Sequence, residues 1–430
     1  MDVPMKSGAK STNSAEHPQQ ALGIEVSLLT GAADKPYAFG LATELAAEEV
    51  ALDVIGNDEL DCPEFHGSPK LNFLNLRGDQ NPNVSRFRKA LRVLLYYLKL
   101  IRYAAGAQPR IFHILWNNKF KHFDRTILML YYRWLGKKVV LTVHNVNAET
   151  RDSRDSWWNR LTLRIQYQLA DHLFLHTEKM REELIEGFGV ARDRTTVIPF
   201  GINNAVPNTD LSSREARVRL GIRENEKTIL FFGHIAPYKG LEYLVAAFRK
   251  VALKHREYRL VVAGRPKDCE KYWQEILDSI QDDVRDSRIL LRADYIPDEE
   301  TEVFFKAADV MVLPYRYIYQ SGVLFLGYSF GLPVLAADVG SLKEDVVEGK
   351  TGFVFAPENS EDLARVIENY FASDLYKELS SRRQGIRDYA AVRNSWHVVG
   401  ELTRGVYSKL LHHETQEKLL NERHSEAHGG

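Results

Sequence analysis

The chain has 430 residues, and at roughly 150 residues per domain this length suits two or three domains, whose cores the 44% of hydrophobic residues can fill. The 57 basic and 58 acidic residues nearly balance, so the overall charge does not favour nucleic acid as a partner. Cys62 and Cys269 are the only cysteines, which argues against a disulfide framework and indicates a reducing compartment, the cytoplasm.

The first segment of the chain, residues 1–20, is polar and lacks the apolar core of a signal peptide, so we expect a disordered leader. No run of about 18 uncharged apolar residues occurs in the sequence, and no membrane-spanning helix is therefore predicted.

Short apolar runs then alternate with longer periodic runs, which is the pattern of parallel α/β sheets. A first series of predicted strands lies at residues 24–29, 52–55, 71–76, 111–115, 139–143, 172–175 and 196–198. A second series lies at residues 228–232, 259–263, 288–291, 310–313, 334–336 and 353–355. The polar, turn-rich segment 201–213 separates the two series and predicts a hinge between two Rossmann-like domains.

Several residues of the first series follow the carboxyl ends of strands, where ligands of open α/β sheets bind. Gly31 ends the first strand and allows a close backbone approach, with a simple turn glycine as the alternative. His113, Trp116 and Asn117 close the fourth strand and are candidates for binding an acceptor sugar, because aromatic faces stack on sugar rings and amides bond to hydroxyls. Packing is the alternative for Trp116. His144 ends the fifth strand, and the alternative there is a structural histidine.

The stretch 86–138 carries thirteen cations and a single anion, Asp124. Its predicted helices place tyrosine, tryptophan and leucine beside these cations, a composition typical of surfaces that rest on anionic lipid headgroups. Nucleic acid is the rival partner for such a patch. The third reading is a pair of solvated helices whose apolar faces pack on the sheet. We favour peripheral contact with an anionic membrane.

A predicted anion site lies at the start of the second series, where the strand 228–232 leads into a polar loop with His234 and Lys239, just before an amphipathic helix. A helix N-terminus with a lysine beside it attracts anions. The alternative is an ordinary loop with a solvated lysine.

A second such loop follows the strand 310–313, where Gln320, Ser321 and Gly322 precede or open another helix. The backbone N–H groups of Ser321 and Gly322 would point toward phosphate oxygens, and a plain helix cap is the alternative. Two loops at strand ends can hold one diphosphate between them.

With the segment 331–355, these two loops resemble the nucleotide-sugar-binding half of the family 4 glycosyltransferases, and the resemblance covers residues 227–370. It implies the GT-B arrangement, an α/β fold of two Rossmann-like domains that face each other across a cleft, with the final helices crossing back to the first domain. We therefore expect a leader at 1–20, an acceptor domain at 21–203, a nucleotide-sugar domain at 204–390, a returning helix at 391–413 and a frayed polar tail at 414–430.

The resemblance also implies roles for individual residues. Lys239 would neutralise the leaving diphosphate, together with His234, which stands where the family has an arginine and supplies a weaker, pH-dependent charge. His144 matches a family histidine that contacts the donor sugar and the reacting centre, with Asn145 and Asn147 orienting its loop. Glu344 matches an acidic position near the nucleotide, with a solvated first-turn residue as the alternative.

One departure from the family concerns two glutamates that its members place eight positions apart, near the sugar and on the ribose. Residues 315–331 contain no glutamate, and Ile318 and Leu326 (or Gly327, after a shift of one residue) stand at those positions. The ribose and sugar contacts would then come from other residues, for which the candidates are Gln320, Tyr319 and Tyr328.

The function implied is a retaining transfer of a sugar from a nucleotide diphosphate to a growing, lipid-linked glycan, in the synthesis of a bacterial surface polysaccharide. No aspartate-any-aspartate motif occurs, so we expect no metal and no other cofactor. Two alternatives remain open. One is a catalytically silent binding subunit, suggested by the missing glutamates and by His234. The other is a nucleotide-sugar epimerase, which the scarcity of glutamates disfavours. The donor base, sugar, acceptor and linkage are not determined by the sequence.

Overall fold

The computed structural model describes residues 23–31, 34–81, 84–151, 154–202, 206–267 and 269–427. The predicted leader, part of the predicted hinge and the last three residues lie outside these ranges. None of the helices in these ranges is both long enough and apolar enough to cross a lipid bilayer.

The first domain is built on a seven-stranded parallel sheet of order β3-β2-β1-β4-β5-β6-β7. Its strands are β1 (Glu25–Leu29), β2 (Ala51–Gly56), β3 (Leu71–Asn75), β4 (Ile111–Ile114), β5 (Lys138–Thr142), β6 (His172–Leu175) and β7 (Thr195–Val197). The helices between them are α1 (Lys35–Ala47), α2 (Pro63–Gly67), α3 (Arg86–Gly106), α4 (Lys121–Phe123), α5 (Met129–Trp134), α6 (Ala148–Arg151), α7 (Trp157–Leu169) and α8 (Glu178–Phe188). A π-helical turn at Asp124–Leu128 joins α4 to α5, and a 3-10 turn lies at Arg192–Arg194.

The second domain is built on a six-stranded parallel sheet of order β10-β9-β8-β11-β12-β13. Its strands are β8 (Lys227–Phe232), β9 (Tyr258–Ala263), β10 (Ile289–Arg292), β11 (Val310–Leu313), β12 (Val334–Ala337) and β13 (Gly352–Phe355). Its helices are α9 (Ser213–Arg219), α10 (Leu241–Lys254), α11 (Glu270–Arg285), α12 (Asp298–Ala307), α13 (Gly322–Ser329), α14 (Leu342–Asp345), α15 (Ser360–Ala372), α16 (Asp374–Lys377) and α17 (Leu379–Arg393), with a 3-10 turn at Pro237–Lys239.

The predicted α/β fold of two Rossmann-like domains is confirmed, and every predicted strand overlaps an observed one. The agreement follows from the sequence pattern, because strands covered on both faces, such as β11 and β12, are continuous apolar runs that are fully buried. In each sheet the strand order reverses at one point, between β1 and β4 in the first sheet and between β8 and β11 in the second. Ligands of open α/β sheets bind at the carboxyl ends of strands beside such switch points.

The last helix, α18 (Trp396–Ala427), packs against α1 of the first domain. Trp396 donates from Nε1 to the carbonyl oxygen of Ile202 at 2.8 Å, and a Cβ atom at Gly40 would lie only 2.1 Å from its ring. The frayed tail predicted from residue 414 is wrong as far as Ala427, because the helix continues to that residue.

Candidate functional site

Lys239 lies at the end of the 3-10 turn that follows β8, and its side chain is buried. Its Nζ donates to the hydroxyl of Tyr315 at 3.2 Å and lies 4.9 Å from the centre of that ring. A Cβ atom at Gly233, whose φ is +100°, would lie 3.3 Å from the same Nζ. The lysine therefore sits against the end of β8, where the missing side chain of Gly233 leaves it room.

The second predicted loop meets the first through Tyr315, whose hydroxyl lies 3.4 Å from the Oγ of Ser321. Ser321 is the N-cap residue of α13, and Gly322 is the first residue of that helix. The N-terminal N–H groups of a helix carry partial positive charge. Lys239, Ser321 and Gly322 thus belong to one connected group at the carboxyl ends of β8 and β11.

His234 lies in the same loop, and three cations surround it. Burial lowers its pKa to about 4, with further lowering by Lys267, Lys239 and Arg265. The imidazole is therefore neutral at neutral pH, and the charge of this corner comes from the three cations. Arg265 and Lys267 follow β9 and pair with the His234 loop through backbone bonds to Ile235. Both cations were missed in the sequence.

Gln320 and Glu344 line one cavity of about 250 Å³ between the two domains. Burial raises the pKa of Asp345 to about 6, and a hydrogen bond from Gln320 is one of the influences that limit this rise. Because a carboxylate accepts hydrogen bonds, the amide nitrogen of Gln320 faces Asp345, and Oε1 is the amide atom that does not bond to this carboxylate. Oε1 is buried and has no hydrogen-bond partner in the described part of the chain.

The two tyrosines proposed to replace the glutamates have other contacts. Tyr328 is fully buried, and its hydroxyl bonds to the carbonyl of Asp345 and to Thr351, both at 3.0 Å, so the structure places it in the core. Tyr319 donates to the carboxylate of Glu183 in the first domain at 2.7 Å, so it bridges the two domains.

The residues at the positions that align with the family's glutamates pack against the core of the second domain. Leu326 lies in the core of the second domain, and a Cβ atom at Gly327 would lie 2.6 Å from Met311. Ile318 is partly buried against the same core. Of the three candidates for the ribose and sugar contacts, only Gln320 therefore has a free side-chain acceptor.

In the first domain, His144 follows β5 and is held between aromatic rings. It stacks on Trp116 with 4.1 Å between ring centres and 1° between planes, and Tyr37 meets it edge-on at 4.7 Å. Its Nδ1 lies 3.2 Å from Nε2 of His176, which follows β6. Its Nε2 is buried, and no partner for it lies among the residues described. Burial holds the pKa of His144 well below its usual range, so it is neutral.

Phe200, from the segment after β7, brings the two domains together at this point. Its ring centre lies 6.4 Å from that of His144. On the second domain, a Cβ atom at Gly322 would lie 3.3 Å from the same ring, which also stacks on Phe325. His144 and the N-terminus of α13 are thus separated by about one aromatic ring.

Gly31 lies beside Trp116, as the switch point between β1 and β4 requires. Its φ is +60°, and a Cβ atom there would lie 2.5 Å from the Trp116 carbonyl oxygen, so only glycine fits. Arg77, which follows β3, donates to the Gly31 carbonyl at 2.5 Å. This cation beside the first loop was also missed in the sequence.

The three residues predicted to bind an acceptor sugar differ in their surroundings. His113 is a correction: it is fully buried, with Nδ1 2.6 Å from the Tyr407 hydroxyl and Nε2 2.8 Å from that of Thr142. It therefore joins α18 to the sheet and offers no free atom to a sugar. Asn117 exchanges hydrogen bonds with Gln166 at 2.7 and 3.2 Å, so its amide is engaged within the domain. Trp116 is partly exposed and covers His144.

The helices of the stretch 86–138 expose a large apolar surface, which we call the apolar face. Phe87 and Trp134 are 77% and 79% exposed. The apolar face extends to the start of α7, where Trp158 lies 6.3 Å from His122 of α4. Its members are Phe87, Leu91, Leu94, Leu95, Leu98, Phe120, Ile127, Leu130, Trp134, Trp157 and Trp158. Asp124, the one anion of the stretch, is buried and bonds to Tyr97 at 2.9 Å, so the exposed charges of the stretch itself are cations.

Comparisons with known protein families agree with this architecture. The family model for glycosyl transferases group 1 matches residues 212–390, and the model for glycosyltransferase family 4 matches residues 35–206. An uncharacterized glycosyltransferase of Methanocaldococcus jannaschii is 27% identical over 236 residues, which are 54% of this chain and 58% of that protein. A D-inositol 3-phosphate glycosyltransferase of Acidothermus cellulolyticus is 29% identical over 189 residues, which are 43% of this chain and 42% of that protein. The chain thus spans about half the length of these curated relatives.

Solved structures are similar over a larger part of the chain. Sucrose-phosphate synthase from Thermosynechococcus elongatus has a TM-score of 0.69 at 18% identity and covers 90% of this chain and 99% of its own. The Anabaena protein HepE in complex with UDP has a TM-score of 0.67 at 16% identity and covers 90% of this chain and 100% of its own. At these identities the similarity concerns the fold.

Proposed function

We propose, from the premise that this chain belongs to glycosyltransferase family 4, that it transfers a sugar from a nucleoside diphosphate donor to an acceptor hydroxyl. The observation that carries the proposal is the connected group of Lys239, Tyr315 and Ser321 at the N-terminus of α13, one aromatic ring away from His144. A diphosphate at this point would meet a lysine, a helix N-terminus and the cations after β9.

In this reaction, the residues that stabilise the negative charge of the leaving diphosphate differ from those that bind the hydroxyls of the donor. The bond between the anomeric carbon and the diphosphate oxygen breaks, and its electron pair leaves with the diphosphate, beside Lys239. The acceptor hydroxyl forms the new bond on the face that the diphosphate leaves, which retains the configuration, and its proton passes to the departing phosphate. Preorganised positive charge stabilises such a leaving group without a metal.

Two buried acceptor atoms fit the hydroxyls of a sugar donor. Nε2 of His144 and Oε1 of Gln320 have no partner in the parts of the chain described, and an unsatisfied buried acceptor costs roughly 1–3 kcal/mol. A ribose or sugar hydroxyl supplies the missing donor. Gln320 would take this role in place of the family's glutamates, and Glu344 borders the same cavity.

We further propose that the acceptor is a lipid-linked glycan of a bacterial surface polysaccharide, reached by peripheral contact of the apolar face with the inner side of an anionic membrane. Exposed leucine, phenylalanine and tryptophan flanked by cations is the composition that inserts at a lipid interface. Replacing Leu98 and Trp134 by serine is expected to abolish flotation with anionic vesicles, whereas Leu253→Ser, at an 82% exposed leucine of the second domain, is expected to leave it intact. Absence of vesicle binding contradicts membrane contact, and binding that is insensitive to salt contradicts recognition of anionic headgroups by the cations.

The transfer itself is tested by release of nucleoside diphosphate from UDP-, GDP- and ADP-sugars in the presence of candidate acceptors. Lys239→Ala is expected to abolish release, and Lys271→Ala, at a 94% exposed lysine on α11, is expected to leave it unchanged. The second candidate, a silent binding subunit, is favoured by the burial of Leu326 where the family has a glutamate. Binding of a nucleotide without any release or transfer would support that candidate and contradict the enzyme.

A further inference from the structure

His176 is a second histidine at the carboxyl edge of the first sheet, and it contacts His144 directly. It follows β6, the strand next to β5, and its Nε2 lies 3.2 Å from Nδ1 of His144. Its other ring nitrogen, Nδ1, lies 3.4 Å from the carbonyl oxygen of Ile198. The two rings therefore form a chain that begins at a backbone carbonyl and ends at the unpartnered Nε2 of His144.

The positions of the protons in this chain follow from its first member. A carbonyl oxygen can only accept, so Nδ1 of His176 carries a hydrogen. Burial lowers the pKa of His176 to about 4, so the ring is neutral at neutral pH and its Nε2 has a lone pair. The hydrogen between the two rings must then belong to Nδ1 of His144. Because His144 is also neutral, its Nε2 has a lone pair and can only accept a hydrogen bond.

We propose that His176 is a positioning residue that fixes His144 as the Nδ1–H tautomer, so that Nε2 of His144 accepts a hydrogen bond from a hydroxyl of the bound sugar. The tautomer assignment depends only on the two rings and the Ile198 carbonyl. The identity of the hydroxyl as that of a sugar rests on the proposed function.

The packing around His144 makes the tautomer the one property that His176 decides. Trp116 stacked on one face and Tyr37 at the edge already hold the orientation of the ring. They offer the ring nitrogens no acceptor that distinguishes one tautomer from the other. With the hydrogen on Nε2 instead, two lone pairs would face each other between the rings, and Nε2 would donate a hydrogen bond and could no longer accept one from a hydroxyl of the ligand.

The test is a long-range proton–nitrogen NMR correlation on the full chain labelled with ¹⁵N-histidine, with the His144 signals identified by their loss in His144→Ala. Wild-type His144 is expected to show a protonated Nδ1 and a bare Nε2. In His176→Phe, which keeps a ring beside Phe200, we expect a mixture of the two tautomers. His176→Gln places an amide oxygen at the position of Nε2 and is expected to restore the wild-type signals. His172→Phe, at the start of the same strand, is the matched control and should leave them unchanged.

Activity provides the second measurement. Sugar transfer is expected to fall on the order of 10-fold in His176→Phe, the effect of about one hydrogen bond, and to recover in His176→Gln. The thermal shift caused by nucleoside diphosphate should equal that of the wild type in both variants. A hydrogen on Nε2 in the wild type, or an unchanged tautomer in His176→Phe, overturns the proposal. If His176→Phe fails to fold, the wild-type and His176→Gln spectra still decide. The NMR result requires no substrate, so it separates failure of this proposal from failure of the proposed function.

Discussion

Acid is expected to destabilise the first domain through His113, which joins α18 to the sheet. Burial lowers the pKa of this histidine to about 3, whereas a histidine in an unfolded chain has a pKa of about 6.5. As the pH falls, the unfolded state therefore takes up the proton first. Stability is unaffected above about pH 6.5 and is lost between that value and about pH 3.

The size of the effect follows from the difference between the two pKa values. Each unit of pH below about 6.5 removes about 1.4 kcal/mol, so at about pH 5 His113 alone lowers the free energy of unfolding by on the order of 2 kcal/mol. The variant His113→Gln keeps a donor and an acceptor for Thr142 and Tyr407 but cannot take up the proton. Its stability is expected to fall less with acid than that of the wild type, by that amount.

Urea unfolding at about pH 7.5 and about pH 5, followed by tryptophan fluorescence, measures this difference. The signal reports chiefly on the first domain and α18, which contain five of the six tryptophans, Trp116, Trp134, Trp157, Trp158 and Trp396. His255→Gln, at the surface of the second domain, is the control and should lose as much stability as the wild type. Equal losses for the wild type and His113→Gln would refute the reasoning.

Three further outcomes are expected. Tyr319→Phe removes the hydrogen bond to Glu183 across the domain boundary, and small-angle scattering should then report a larger radius of gyration, while an unchanged radius would show that other contacts hold the domains together. Binding of a nucleoside diphosphate places negative charge beside neutral His234 and raises its pKa, so affinity measured by calorimetry should increase from about pH 8 to about pH 5 in the wild type. His234→Gln should lack this increase, and an equal increase in both would argue against contact with the diphosphate. Gln320→Leu should weaken binding of the nucleotide sugar by about tenfold, the effect of one hydrogen bond, and unchanged affinity would exclude Gln320 as a ligand.

The sheets were predictable because buried parallel strands are short apolar runs between polar loops. The same pattern predicted a polar loop after each of β8 and β11, and the Lys239–Tyr315–Ser321 contacts show that these two loops meet. The direction of side chains was less predictable. A histidine near the end of a strand can point to the ligand side or into the core, and His144 and His113 differ in this respect because α18 covers His113.

What the sequence did not reveal depends on distant segments of the chain. Arg265 and Lys267 lie near His234 only because β9 lies beside β8 in the sheet. Tyr319 has the composition of a sugar ligand, but its partner Glu183 lies on α8 of the other domain. His176 did carry a usable signal, since it follows a strand just as His144 does.

The central claim, a nucleoside diphosphate site at Lys239, is tested most directly by thermal unfolding with UDP, GDP, ADP and CMP and their sugars. A ligand at about 100 times its dissociation constant adds about 2.7 kcal/mol to the free energy of unfolding, which is readily measured. We expect one nucleotide to stabilise the wild type and Lys271→Ala equally and to leave Lys239→Ala unchanged. The account is contradicted if no nucleotide stabilises the wild type, or if a nucleotide stabilises Lys239→Ala as much as the wild type.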